Sequence, residues 1–433
     1  MSSIWRVTCR LAPLLLVACN KTPPRTHGPE PMTKVVPADG QGQSTEAVVG
    51  PNPSGAPVET APPNVPELQP AFVGQTRAPA IHSRTKFQVD DVATDLHQPW
   101  ALALLPDRRW LVTQKHEGSL IVVSASGQKS RPVRGVPAVV GEDQAGLLDV
   151  AVAPDHATSK LFYLSYVEPR EGGNGLAVAR ARFIDGPEPK LDQLRVIFRA
   201  SPTLDSTKHA GGRLALAADG SLFVTLGERS ILAGRKQAQD LNSHLGKIVR
   251  IGPDGAVPRD NPFVHRPAAR PEIWSSGHRN PLAADFDAKQ RLWIVEMGPR
   301  GGDELNLIEK GKDYGWPTIG YGEEYSGQPI HQTASAEGME QPKYYWDPVI
   351  SPGALTIYAG ELFPEWKGSF FIAGLSSKAL IRLTVEGDRV TGEERLLTDR
   401  AERIREVVAG PEGALYLLTD GARGKLLRIT PAG

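Results

Sequence analysis

The chain has 433 residues, too many for one small core, and its 49 Lys and Arg are balanced by 49 Asp and Glu. Zero formal net charge excludes the global basic field that steers a protein onto nucleic acid. The only two cysteines, Cys9 and Cys19, lie near the start. A disulfide framework or a thiolate zinc site in the body is therefore excluded, and any metal must be held by oxygen or nitrogen.

In chain order, residues 1–19 read as a targeting segment. Arg6 and Arg10 make a positive beginning, and Leu11 to Val17 form an apolar run too short to cross a bilayer. Leu16-Val17-Ala18-Cys19 then reads as a lipobox, with Cys19 lipidated and Cys9 removed with the signal. An ordinary secretory signal is the other reading. Asn20 at the next position argues against retention at the inner membrane. The expected location is the cell envelope, on the outer membrane facing the periplasm or at the cell surface, with membrane contact through the lipid alone. Residues 20–83 are rich in Pro, Gly, Thr and Ala and poor in large apolar residues. Such a stretch buries too little surface to offset its ordering entropy, so a disordered tether without chemistry is expected.

From residue 84 to 433 the pattern changes to short alternating runs punctuated by turn residues, which predicts antiparallel strands. One unit recurs: an apolar strand, a Pro/Asp/Gly turn and a second apolar strand. It appears as Trp100-Ala-Leu-Ala-Leu-Leu-Pro-Asp with Trp110-Leu-Val-Thr, and as Leu148-Asp-Val-Ala-Val-Ala-Pro-Asp with Leu161-Phe-Tyr-Leu-Ser-Tyr. Further copies begin at Arg213, Ala283, Ala354 and Val407, their second strands at Leu222, Leu292, Phe370 and Leu415. Six such hairpins predict an all-β fold, a six-bladed β-propeller of four-stranded blades preceded by a signal peptide and a disordered linker. A sandwich with long insertions is the structural alternative. The uneven spacing of the units implies long loops, where a site would be built.

Four stretches depart from ordinary blade sequence. His209-Ala-Gly-Gly-Arg213 precedes a strand and offers a neutral imidazole able to act as a base. In Gly277-His-Arg-Asn-Pro281, Arg279 offers a fork of donors for an oxyanion and Asn280 both a donor and an acceptor. Glu296-Met-Gly-Pro-Arg-Gly-Gly-Asp-Glu304 is a glycine-rich acidic loop suited to a hard cation such as Ca²⁺, without the EF-hand spacing. Arg403-Ile-Arg405 places two guanidinium groups on one side of an extended segment, where they can meet one anion. Each also has a bland reading: a loop histidine, a bridge between blades, a solvated acidic turn, a solvated basic edge.

Taken in order, these stretches resemble the soluble pyrroloquinoline quinone (PQQ)-dependent aldose sugar dehydrogenases, of glucose/sorbosone type. The resemblance runs from about Gln98 to Ile429 and is reinforced by Gln144-Ala-Gly-Leu-Leu-Asp-Val and by Asp313-Tyr-Gly-Trp-Pro317. It implies that His209 takes the proton of the sugar C1 hydroxyl and that Arg279 stabilises charge at the quinone carbonyl. It implies Gln144 and Asn280 as cofactor hydrogen-bonding residues, Arg403 and Arg405 as partners of its carboxylates, and the carbonyls of Gly298 and Pro299 as Ca²⁺ ligands. An aldose substrate and an external electron acceptor follow as partners. Three positions depart from the family pattern. Glu228 stands where an aspartate usually orients the histidine, Met297 replaces a Gln or His, and Ser376 replaces a lysine that Lys378 lies near. Loss of those polar contacts keeps a second reading open, a non-catalytic propeller binding a glycan or a protein. A calcium-dependent lactonase is a third, but its cage of carboxylates and asparagines is not seen across the units.

Overall fold

The computed structural model describes residues 55–432, so Cys19 and the lipobox lie outside the described residues, as does the first part of the tether. A first long strand, β1 (Phe87–Leu96), precedes the repeats. Blade one is β2 (Pro99–Leu104), β3 (Trp110–Gln114) and β4 (Ser119–Val123). Blade two comprises β5 (Leu147–Val152), β6 (Leu161–Arg170), β7 (Gly173–Ile184) and β8 (Lys190–Arg199). Blade three runs β9 (Gly211–Leu216), β10 (Leu222–Leu226), β11 (Lys247–Ile251) and β12 (Ile273–Ser276). Blade four has β13 (Pro281–Phe286), β14 (Leu292–Glu296), β15 (Asp303–Ile308) and β16 (Tyr344–Trp346). Blade five consists of β17 (Pro352–Ile357), β18 (Phe370–Gly374), β19 (Ala379–Glu386) and β20 (Arg389–Leu396). In blade six, β21 (Ile404–Ala409), β22 (Leu415–Thr419) and β23 (Gly424–Pro431) are joined at the outer edge by β1, which pairs antiparallel with β23 and closes the ring.

Each unit read from the sequence is the first hairpin of one blade. The turns share one geometry. In blades one, three, four and six the residue two before the second strand, Arg108, Gly220, Gln290 or Gly413, takes a positive φ, and paired backbone bonds bracket the loop. This is the hairpin loop in which a tight turn is followed by a left-handed residue. Blade one stops at three strands, against the expectation of four. Ser130 and Val133 still donate backbone N–H groups to the Val122 and Leu120 carbonyls of β4. Pro132 between them has no N–H, so no regular ladder forms there.

Apolar clusters fill the seams between neighbouring blades rather than one central core. Hydroxyl groups on the second strands stitch three of the seams. Thr113 Oγ1 accepts the Ala101 N–H of its own blade at 3.0 Å and donates to the Leu148 carbonyl of the next at 2.6 Å. Ser165 links Asp149 to the Gly212 carbonyl, and Thr225 links Arg213 to the Pro281 carbonyl, in the same way. The threonine ending the Trp-Leu-Val-Thr and Leu-Phe-Val-Thr repeats is therefore a joint between blades.

Arg213 closes the channel. Its guanidinium donates to Glu406 (2.6 Å), Asp149 (3.3 Å) and the carbonyls of Leu282 (3.0 Å) and Gly353 (3.1 Å), and it lies 4.6 Å from the Trp100 ring. One side chain thus ties the innermost strands of all six blades. Asp149, Arg213 and Glu406 occupy equivalent ladder positions, and the remaining blades carry Ala101, Ala283 and Ala354 there. Small residues on three blades leave room for the charged residues of the other three.

The tether was expected to extend to Ser83, but residues 55–83 are laid along the outer edges of blades four and five. Ile81 N–H donates to the Glu393 carbonyl and Glu393 N–H to the Pro79 carbonyl, both at 2.9 Å, beside β20. The Asn64 N–H donates to the Asp347 carboxylate at 2.8 Å. Buried Gln75 donates to the Pro342 carbonyl at 2.9 Å and accepts from the Tyr321 hydroxyl, also at 2.9 Å. A composition rule weighs apolar area and misses a segment held by polar bonds to an existing sheet edge.

Candidate active site

The ladders place the last residue of each first strand opposite a residue of the second: Leu104 with Trp110, Val152 with Phe162, Leu216 with Leu222, Phe286 with Leu292, Ile357 with Phe370, Ala409 with Leu415. Five residues on from those second-strand partners, the equivalent positions are Lys115, Val167, Gly227, Met297, Leu375 and Asp420. This ring forms the channel mouth. Four of its members, Lys115, Met297, Leu375 and Asp420, line a cavity of about 350 Å³ together with Gln144, Asn280, Arg403 and Arg405. Trp100 and Leu282 from the innermost strands also line it.

His209 sits in the wall of this mouth, immediately before the lining residues Ala210 and Gly211. The chain crosses the end of β10 so closely that a Cβ on Gly227 would stand 2.2 Å from the His209 carbonyl oxygen. Gly211 carries a φ of 70°, a conformation glycine adopts without cost. His209 has a φ of 43°, strain of the kind that gathers at functional sites. Its N–H donates to Gln144 Oε1 at 2.9 Å, and its Nδ1 lies 2.8 Å from Oε1 of the fully buried Glu228. A carboxylate only accepts, so Nδ1 carries the hydrogen and Nε2 is left as the base. Burial, reinforced by the Arg279 charge, outweighs Glu228 and pulls the His209 ring down to about 4. The imidazole is therefore neutral across the physiological range. Glu228 Oε2 is held by the Ser230 N–H at 3.0 Å, so the longer side chain orients the histidine as an aspartate would.

Arg279 is buried beside this pair. Its Nη1 donates to the carbonyls of Met297 (2.9 Å) and Gly298 (2.6 Å), and it lies 5.3 Å from the Trp316 ring. Among the described residues its Nε has no hydrogen-bond partner. Asp303 fixes the turn that presents those carbonyls, accepting the N–H groups of Gly298, Ile350 and Ser351 at 2.7 to 2.8 Å. Arg279, Met297, Gly298 and Pro299 line a smaller adjoining cleft with Trp316, Tyr321 and Glu304. Burial and the neighbouring Glu296 push the Glu304 carboxyl well up. Among the described residues no group of three or more His, Cys, Asp or Glu side chains is gathered as a metal cage. The Met297 and Gly298 carbonyls converging on one guanidinium nitrogen show a turn that presents oxygen to positive charge.

Arg403 and Arg405 share Asp420, at 2.9 and 3.2 Å, and burial lowers the Arg405 guanidinium from its usual range. The structure thus brings His209, Glu228, Gln144, Asn280, Arg403 and Arg405 around one mouth, with Arg279, Gly298 and Pro299 in the cleft that meets it at Met297. Asn280 Oδ1 is turned inward, accepting the Gly211 N–H at 3.2 Å. Ser376 is exposed, its hydroxyl donating to the Val349 carbonyl, and Lys378 is exposed and does not line the cavity. Lys115, Asp420 and Trp100 were missed by sequence reading. The signal that finds them is their equivalence across repeats, which becomes countable only once the strand ladders are aligned.

The family described as Glucose / Sorbosone dehydrogenase matches residues 96–428. The chain is 42% identical over 347 residues to the aldose sugar dehydrogenase YliI of Escherichia coli, covering 79% of this chain and 92% of that protein. The crystal structure of the soluble aldose sugar dehydrogenase of Escherichia coli in its apo form is 41% identical with a TM-score of 0.77, over 80% of this chain and all of that one. The PQQ-bound form of the aldose sugar dehydrogenase of Streptomyces coelicolor is 29% identical with a TM-score of 0.66, over 81% of this chain and 99% of that one. A six-bladed ring with a histidine–carboxylate pair at a cation-lined mouth, and a family match spanning every blade, place the chain in the glucose/sorbosone dehydrogenase family of oxidoreductases.

Proposed function

We propose that the protein oxidises aldoses at C1 to their lactones with PQQ as cofactor and passes the electrons to an external acceptor. The observation that carries this reading is the buried His209–Glu228 pair beside a mouth walled by Lys115, Arg403 and Arg405. PQQ is a tricarboxylate, and a cavity of about 350 Å³ with three cationic side chains suits its charge. The unpartnered Nε of Arg279 supplies a further buried donor. Arg403 and Arg405 would hold carboxylates, Gln144 and Asn280 would offer hydrogen bonds, and Arg279 would face the reacting carbonyl. Ca²⁺ would be held by the Gly298 and Pro299 carbonyls, the hard oxygen donors it prefers.

When bound, PQQ would supply the acceptor for the hydride that oxidation at C1 removes, and the hydroxyl proton would need a base. His209 is the group placed to accept that proton at Nε2, because its Nδ1–H is committed to Glu228. Glu228 holds the ring orientation and stabilises the imidazolium as it forms. Arg279 supplies fixed positive charge in a water-poor setting, where such charge acts most strongly. The mouth is open to water, so broad acceptance of aldoses is expected. The anchoring at Cys19 and the envelope location are part of the same proposal and rest on the lipobox.

Purified protein given Ca²⁺ and PQQ should reduce an artificial dye when glucose or another aldose is added. His209→Ala should lower kcat by about 10²–10⁴-fold, the usual contribution of a general base. No quinone binding by the parent protein would favour the glycan- or protein-binding reading instead. Saturable dye reduction unaffected by His209→Ala would remove His209 from the mechanism.

A further inference from the structure

Lys115 is the one cation in the ring of equivalent residues at the channel mouth, whose other members are Val167, Gly227, Met297, Leu375 and Asp420. It follows β3 directly, its N–H donates to the Gln98 carbonyl at 3.0 Å and its carbonyl accepts the Leu147 N–H at 2.9 Å, so its Cα is pinned between blades one and two. The side chain is half-buried and lines the cavity with Arg403 and Arg405. Its Nζ donates to the neutral Asp143 carbonyl at 2.6 Å, and among the described residues it forms no ion pair. The cavity's acidic residues are otherwise engaged: Asp420 by both arginines, Asp143 by Thr207 and, at 3.9 Å, by Lys208.

A cation held half-buried beside two guanidinium groups, without a carboxylate of its own, is unfavourable unless an anion joins it. Burial and the Arg405 charge pull the Lys115 ammonium down to about 8. At the position where the family pattern has a lysine, this chain has Ser376, exposed and off the cavity.

We propose that Lys115 is a third cationic contact for the carboxylates of the bound quinone, taking from blade one the role that Ser376 cannot fill from blade five. The inference rests on the PQQ reading above and specifies which residue completes its charge pairing.

The test is a quinone titration without sugar, read by absorbance and by quenching of protein fluorescence. The parent protein is compared with Lys115→Met, Lys115→Arg and, as a control off the cavity, Lys378→Met. PQQ and its trimethyl ester, which lacks the carboxylate charges, serve as the two ligands. Lys115→Met should weaken PQQ binding at least tenfold while changing binding of the ester little. Lys115→Arg should keep most of the affinity, and Lys378→Met should match the parent. Thermal melts of the variants near that of the parent would show that the fold is intact. Equal PQQ affinity in the parent and Lys115→Met would overturn the assignment and leave the quinone reading standing. No PQQ binding by the parent would overturn the quinone reading and the assignment together.

Discussion

His209 is subject to opposed influences: burial and the Arg279 charge disfavour its protonated form, while the Glu228 hydrogen bond favours it. Burial wins, and the ring falls from 6.5 to about 4. For a base, a depressed value means that the active neutral form survives as pH falls. The acid limb of kcat/KM should therefore lie near or below about 4 rather than at the ordinary histidine value. Glu228→Gln keeps an acceptor for Nδ1–H but removes the charge that supports the imidazolium. That variant should move the limb further down and lower kcat more than it raises KM, at least about tenfold. A pH–rate profile on both proteins checks this, and a parent limb near 6.5 would contradict the burial argument. The family resemblance implied that Glu228 orients His209, while the residues by themselves stand nineteen positions apart in the chain. Their pairing needed the close crossing of the His209 segment over β10, which the glycines at 211 and 227 make possible.

At the scale of elements, the six first hairpins were legible because alternation and turn residues are local signals. The left-handed turn position was visible as Gly220 and Gly413 but hidden where Arg108 and Gln290 adopt it. The closing strand β1 was not legible, since its partner β23 comes from the far end of the chain and β1 has no hairpin of its own. The strap of residues 55–83 has too few apolar residues to signal order by composition. In the structure it caps the outer edge of β20 and holds Tyr321, which stacks on Tyr345 at 3.8 Å and lines the cleft beside Gly298 and Pro299. Removing residues through Ser83 should expose that strand edge, lower the melting temperature by roughly 5 °C or more and promote self-association. Calorimetry and light scattering against the chain that begins at Gly55 measure both. An unchanged melt would mean that the strap lies on the surface without supporting it.

For the molecule as a whole, Arg213 joins the innermost strands of all six blades in one buried network. Burial pushes the Glu406 carboxyl up to about 7 despite the facing guanidinium, and it pushes Asp149 up as well. Arg213→Met should leave both carboxyl groups buried without their partner and cost about 3–5 kcal/mol in denaturant unfolding. Combining it with Asp149→Asn and Glu406→Gln should recover most of that loss, because no uncompensated charge then remains. A single variant as stable as the parent would show that the network is not a structural keystone.

By itself, the sequence determined the repeat, the number of blades and the set of chemistry-bearing stretches, because short strands, turn residues and ordered motifs are encoded by near neighbours. The tertiary structure decided what those residues meet. Ring closure by β1, the docking of the strap, the single mouth shared by residues from separate blades and the place of Lys115 all depend on contacts between distant parts of the chain. Such contacts follow from strand register around a closed ring, and a one-residue shift in a ladder would turn that strand's side chains to the opposite face.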